Sequence, residues 1–163
     1  LYKNFYFLVE AFSKIKNLYP NLKLVCTGNA FSEVENVFFE KLKIKDSIIQ
    51  YFVNDDQLIY LYQNAKCFIF PSLYEGFGIP ILEAFENKCC TLLSNTSCMK
   101  EIAKDAAIYF NPKDINSLTE NLIKILSDSN LRTELIAKGL QRVNDFSWEM
   151  SALNTFQVYK SII

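Results

Sequence analysis

Apolar side chains recur along the first twenty residues at helical spacing. Phe5, Leu8, Val9, Phe12 and Ile15 share one face, and Pro20 closes the run, so the pattern predicts a helix over residues 4 to 18. "LKLVCTG" (22–28) then reads as a short buried strand closing at Gly28. Ser32 and Glu35 form an S-x-x-E capping signature ahead of Val34, Val37, Phe38 and Leu42, which predicts a second helix. "SIIQYFV" (47–53) reads as a strand, and "QLIYLYQNAK" (57–66) as a helix with Leu58, Leu61 and Tyr62 inward and Asp55-Asp56 at its N-cap. "CFIF" (67–70), "CCTLLS" (89–94) and "AAIYF" (106–110) supply three more strands, with a helix from about Ile79 to Asn87 between the first two. Beyond "NPKD" the pattern is helical over roughly 115–127, 130–143 and 148–162, the last opened by Ser147 as N-cap.

Helices alternating with short apolar strands imply an α/β fold with a parallel sheet. No repeat, low-complexity tract or Gly/Ser linker breaks the pattern, so residues 1–163 read as one domain. The first element is a helix, whereas sheets of this class ordinarily begin on a strand. The reading therefore expects one strand upstream of Lys3, in a parent polypeptide longer than this chain.

Composition narrows the function. A chain of 163 residues can bury about 70% of its unfolded surface around one core. Half the residues are hydrophobic, 15% are aromatic and the net charge is −1, which excludes a disordered chain and an electrostatic nucleic-acid binder. There is no histidine, so Ser-His-Asp and Cys-His nucleophiles and H-E-x-x-H metal sites are excluded within the chain. Cys26, Cys67, Cys89, Cys90 and Cys98 are an odd number without C-x-x-C spacing, and read as free, mostly buried thiols of a reducing cytosol; no metal site is expected. No run approaches the ~18 apolar residues of a membrane span, and "LYKNFYF" lacks the layout of a signal peptide. A cytoplasmic location follows as the expectation.

The chemistry concentrates in "PSLYEGFGIPILEAFENK" (71–88). Strand, Gly-rich turn and helix follow one another there, and in open α/β sheets ligands bind beyond the carboxyl ends of the strands. The N–H groups of Gly76, Phe77, Gly78 and Ile79 are expected to be unpaired at the helix start and, with the helix dipole, to form an anion site. Pro80 falls where a donor is dispensable. Glu75 and Glu83 flank this turn. Carboxylates repel a phosphate but accept from hydroxyls, which suits a sugar and a ribose on either side of a diphosphate. Dipole stabilisation of acidic residues near a helix start explains the same spacing, so the segment alone does not separate the two readings.

The arrangement as a whole resembles the E-x7-E segment of retaining glycosyltransferases of GT-B architecture, specifically glycosyltransferase family 4. "YKNFYFLVEAFSKIKNLYPNLKLVCTG", "LIYLYQNAKCFIFPS", "CMKEIAKDAAIYFNPKD" and "LIAKGLQRVNDFSWEMSALNTFQVYKSI" resemble successive family segments in order, so the resemblance spans essentially the whole chain. It implies a Rossmann-like parallel sheet flanked by helices, the C-terminal, donor-binding half of the enzyme. It further implies that Glu83 binds the donor ribose, Glu75 lies against the transferred sugar, Gly76 to Ile79 cradle the diphosphate, and Lys3 contacts the phosphates. The implied reaction moves a sugar from a nucleotide-diphosphate donor to an acceptor hydroxyl with retention, without a cofactor, the departing diphosphate helping to deprotonate the acceptor. The acceptor, a sugar, lipid-linked or polysaccharide chain, would bind through an N-terminal domain absent from this chain. The fragment is therefore expected to be inactive alone, and peripheral membrane contact at the inner face stays open for the full-length protein.

Departures from the family pattern are Lys88 at a usual glycine, Cys90 at a common proline and Tyr51 at a glycine near the expected base pocket, where it either stacks on a base or fills space. Glu101 matches a family acidic position that the dipole explains equally well, and Ser72 either approaches the donor or bonds local backbone. Trp148, Phe156 and Tyr159 read as core or interdomain packing, with part of that face exposed. A non-catalytic nucleotide-binding module and an epimerase-like enzyme are the rival readings. A dehydrogenase is disfavoured because the G-x-G turn follows the third strand and no third glycine completes it.

Overall fold

The computed structural model describes residues 2–162. Along it run α1 (Phe5–Ile15), β1 (Leu24–Thr27), α2 (Glu33–Lys41), a 3-10 turn (Lys45–Ser47), β2 (Ile48–Tyr51), α3 (Asp55–Asn64), β3 (Phe68–Phe70), α4 (Ile79–Glu86), β4 (Thr91–Ser94), α5 (Met99–Ala103), β5 (Ile108–Phe110), α6 (Ile115–Ser127), α7 (Ser129–Val143) and α8 (Trp148–Ile162). Apart from α5 and the 3-10 turn, which the hydrophobic pattern does not predict, these are the expected elements, most of them trimmed by one to three residues.

Local chemistry sets the helix starts. The expected capping box at α2 is present, with Ser32 Oγ accepting from Glu35 N–H and the Glu35 carboxylate accepting from Ser32 N–H. At α3 the expected cap is corrected. Asn54 holds the extended conformation that lets its side chain accept from Gln57 N–H, while Gln57 accepts from Asn54 N–H. Asp55 and Asp56 occupy the first turn instead, where the helix dipole favours carboxylates. Ser147 Oγ accepts from Met150 N–H at 3.1 Å, the expected start of α8.

All strand pairs are parallel, as expected, but the single sheet is corrected to two: β1 pairs with β2, and β3, β4 and β5 form a second sheet in that order. β1 and β3 are left on either side of a cleft of about 890 Å³, walled by Leu24, Cys26 and Ile69 from the strands and by Phe12, Leu122 and Leu126 from α1 and α6. The Tyr2 carbonyl accepts from Leu73 N–H at 2.7 Å, so the described chain starts against the end of β3. Among the described residues no strand pairs with both β1 and β3.

The larger core joins α1, α2 and α6 to the sheets through Val9, Phe12, Phe39, Leu92, Phe110 and Leu118. A second cluster seats α4 and α5 on β4 through Ile81, Phe85, Leu93 and Met99. β4 is buried along its whole length, as a central parallel strand requires. α8 buries none of its residues, and Trp148, Phe156 and Tyr159 are exposed, more fully than the sequence pattern implies.

Two substitutions test how α4 is held. Gly139 in α7 lies against the ring of Phe85 in α4, and a Cβ there would sit 2.7 Å from Phe85 Cδ1. Ala is the better helix former by about 1 kcal/mol, but overpacking a buried ring costs about 1–3 kcal/mol. Gly139→Ala is expected to lower Tm by a few degrees; an unchanged or raised Tm would show that Phe85 yields freely. Lys88, just past α4, is left-handed (φ 58°), the conformation that the usual glycine would favour. Lys88→Gly is expected to stabilise the chain by about 1 kcal/mol, read as the shift of the urea midpoint at constant slope.

Candidate functional site

Beyond the carboxyl end of β3 the chain turns through Glu75, Gly76 and Phe77 into α4. Gly78 is the N-cap, left-handed at φ 101° and ψ 50°, and no side chain caps this helix. The positive φ needs glycine, and an added Cβ would also meet Ile81 Cδ1 at 3.0 Å. Pro80 occupies the first turn as expected. Among the described residues no acceptor meets the N–H groups of Gly76, Phe77, Gly78 or Ile79, and Gly76, Phe77 and Ile79 are exposed. Four donors at the positive end of a helix dipole thus have no protein partner among the described residues, Gly78 being buried and the other three exposed.

The loop after β4 holds this turn in place. Glu75 N–H donates to Ser97 Oγ at 3.2 Å, and the Cys98 thiol reaches the carbonyls of Glu75 (3.3 Å) and Phe77 (2.9 Å). Thr96 Oγ1 donates to the Ser72 carbonyl at 3.2 Å. The Glu75 and Phe77 carbonyls of the turn are thus engaged, while the N–H groups that follow Glu75 are not. Sequence reasoning counted Cys98 as one more free thiol and did not single out Ser97. Their position directly after the apolar run of β4, at the same carboxyl edge as the Gly-rich turn, was the available signal.

Of the two carboxylates, Glu75 is half-buried in the turn and Glu83 half-buried one turn into α4. Tyr62 of α3 donates its hydroxyl to Glu83 Oε2 at 3.2 Å. Burial first, and the Glu83 charge second, push the Tyr62 phenol well above its ordinary range, so the hydroxyl stays a donor at any ordinary pH. Lys3 is exposed and follows Tyr2, whose carbonyl is bonded to Leu73, so a residue 72 positions away in sequence is brought to the segment leading into Glu75. Ser72 is 1% exposed and its Oγ has no hydrogen-bond partner. Of the two roles open to it, bonding of local backbone is not the one adopted. Tyr51 stands exposed at the end of β2, and Glu101 lies in the first turn of α5.

The rest of the chain offers little competing chemistry. All five cysteines are free; Cys89 and Cys90 are buried and the other three half-buried. Among the described residues no three His, Cys, Asp or Glu side chains are grouped to hold a metal, and no helix is long and apolar enough to cross a membrane.

Comparison with known proteins decides the family. Residues 1–142 match the family described as "Glycosyl transferases group 1". The chain belongs to that family. It is 37% identical over 109 residues to O-antigen chain mannosyltransferase B of Escherichia coli, covering 67% of this chain and 29% of that protein. It is 41% identical over 101 residues to the serotype-specific mannosyltransferase WbdA of Escherichia coli, covering 62% of this chain and 12% of that protein. The chain thus spans a minor part of the relatives it matches. Sucrose-phosphate synthase from Thermosynechococcus elongatus has the same fold over 99% of this chain and 42% of its own, with a TM-score of 0.83 at 22% identity. The α/β Rossmann-like fold read from the sequence is therefore the fold of this group 1 glycosyltransferase chain.

The cleft wall gives a thiol that reports on this geometry. Burial, and secondarily the Glu35 charge, push the Cys26 thiol up from 9.0 to about 11. At pH 8 its thiolate fraction falls roughly 100-fold, and thiolate is the reactive form. Iodoacetamide is expected to alkylate Cys26 about 100 times more slowly in the folded chain than in urea, measured by peptide mass spectrometry; equal rates would mean an open cleft wall.

Proposed function

We propose that this chain is the donor-binding domain of a retaining GT-B glycosyltransferase, of the glycosyltransferase family 4 type, that transfers a hexose from a nucleoside-diphosphate sugar to an acceptor hydroxyl. The observation that carries the reading is the start of α4. Four unpartnered N–H groups flanked by two carboxylates match a ligand with an anionic centre and hydroxyls on both sides. Mannose is the proposed sugar, because the relatives named above are an O-antigen chain mannosyltransferase and a serotype-specific mannosyltransferase. Surface polysaccharide or glycolipid assembly on the cytoplasmic side of a membrane is the proposed setting.

In this reading the diphosphate sits on Gly76, Phe77, Gly78 and Ile79, with Lys3 beside it. Charge develops on the diphosphate as the glycosidic bond breaks, and fixed N–H dipoles and an ammonium stabilise that charge more than the ground state. Glu83 accepts from the ribose hydroxyls and Glu75 from the transferred sugar, which fixes the anomeric carbon relative to the acceptor. The departing diphosphate takes the acceptor proton on the same face, giving retention. That route needs no side-chain base of histidine type, in keeping with a chain that contains no histidine. No cofactor is required. The orphaned Ser72 hydroxyl at the end of β3 supplies one more donor for a ligand in this region. The acceptor would bind on a companion domain, and the chain by itself would bind donor without turning it over.

Thermal melts of the intact polypeptide with UDP, GDP, ADP and their sugars test the donor site. At 100 times its dissociation constant a ligand adds about 2.7 kcal/mol, a shift of several degrees. One nucleotide is expected to produce the shift, and Glu83→Ala to abolish most of it. A shift that survives Glu83→Ala, or none with any nucleotide, would place donor binding elsewhere or favour a module without this activity.

A further inference from the structure

Tyr62 is 7% exposed, yet its hydroxyl reaches a charged group on another helix. Its ring stands edge-on to Phe68 of β3, at 5.3 Å between centroids, in a small cluster with Leu58, Ala84 and Cys89. Packed on several sides, the ring has little freedom, so the hydroxyl is a fixed point. The Glu83 carboxylate is the opposite case. Its terminal torsion is intrinsically broad, and an unrestrained glutamate samples many orientations. The bond from Tyr62 to Oε2 removes that freedom and leaves Oε1, with the second lone pair of Oε2, to accept from a ligand.

We propose that Tyr62 is a positioning residue for the donor site, orienting the Glu83 carboxylate so that it accepts from both hydroxyls of a ribose and thereby selects ribonucleotides over 2′-deoxyribonucleotides. The inference rests on the reading of Glu83 as the ribose ligand. A carboxylate accepts but cannot donate, so a vicinal diol satisfies it better than a single hydroxyl does. A pinned carboxylate holds the geometry for both hydroxyls before the nucleotide arrives, whereas a free one must be ordered during binding. Tyr62 touches no ligand in this scheme and acts only through Glu83.

Tyr62→Phe keeps the ring and its packing and removes only the hydroxyl. The test uses the intact polypeptide with UDP, GDP and ADP and the 2′-deoxy form of whichever binds, with affinities from titration calorimetry. The preference for the ribonucleotide is expected to fall roughly tenfold or more in Tyr62→Phe, with the deoxy form little affected. Glu83→Asp, which withdraws the carboxylate from Tyr62 by one methylene, is expected to lose preference similarly. The Tyr62→Phe/Glu83→Gln double variant is expected to lose no more than Glu83→Gln alone, because the two act as one unit. Equal weakening of both nucleotides in Tyr62→Phe would make Tyr62 a packing residue and overturn the inference. So would a preference lost in Glu83→Gln but intact in Tyr62→Phe. A preference intact in Glu83→Gln would instead overturn the ribose reading of Glu83, and with it this inference.

Discussion

The N-terminus of α4 sets the terms for the surrounding structure. A helix start leaves backbone donors without intrahelical partners, and here neither a capping side chain nor a neighbouring carbonyl takes them up. Gly78 gives the helix a left-handed N-cap, and Ser97 and Cys98 bond the backbone of the turn at Glu75 and Phe77. α7 backs the helix through Gly139 on Phe85, and α3 reaches it through Tyr62 on Glu83. Each contact comes from a different element. Together they hold a helix start whose backbone donors have no protein partner among the described residues.

The divided sheet bears on how that site works. β3 ends directly before the turn, and its far edge lies open to the cleft shared with β1. Lys3 enters from the same side, at the point where Tyr2 is bonded to Leu73. Lys3 is thus tied to the segment leading into the Gly-rich turn through the bond of Leu73 N–H to the neighbouring Tyr2 carbonyl.

Much of this was legible in the sequence, and the misses share a cause. Periodicity located all the strands and every helix but the five-residue α5, because the packing of each depends on its own apolar face. The turn, the two glutamates and Pro80 were legible for a similar reason: they are local chemistry within twenty residues. Tyr62 on Glu83 and Ser97 and Cys98 on the turn were not, since each is a contact across 21 to 23 positions with no periodic trace. Asp55-Asp56 and Asn54 compete for one cap with the same side-chain chemistry, and only the extended backbone at Asn54 decides between them. The division into two sheets left no mark in the sequence pattern, because alternating apolar segments predict strands but not which strands pair.

A crystal structure of the intact polypeptide with the nucleoside diphosphate that it binds tests the central claim most directly. The account predicts diphosphate oxygens at hydrogen-bond distance, about 3 Å, from the N–H groups of Gly76 to Ile79, with the ribose hydroxyls on Glu83 and Lys3 beside the phosphates. A diphosphate seated instead at Gly28 beyond β1, with the α4 turn unoccupied, would contradict it.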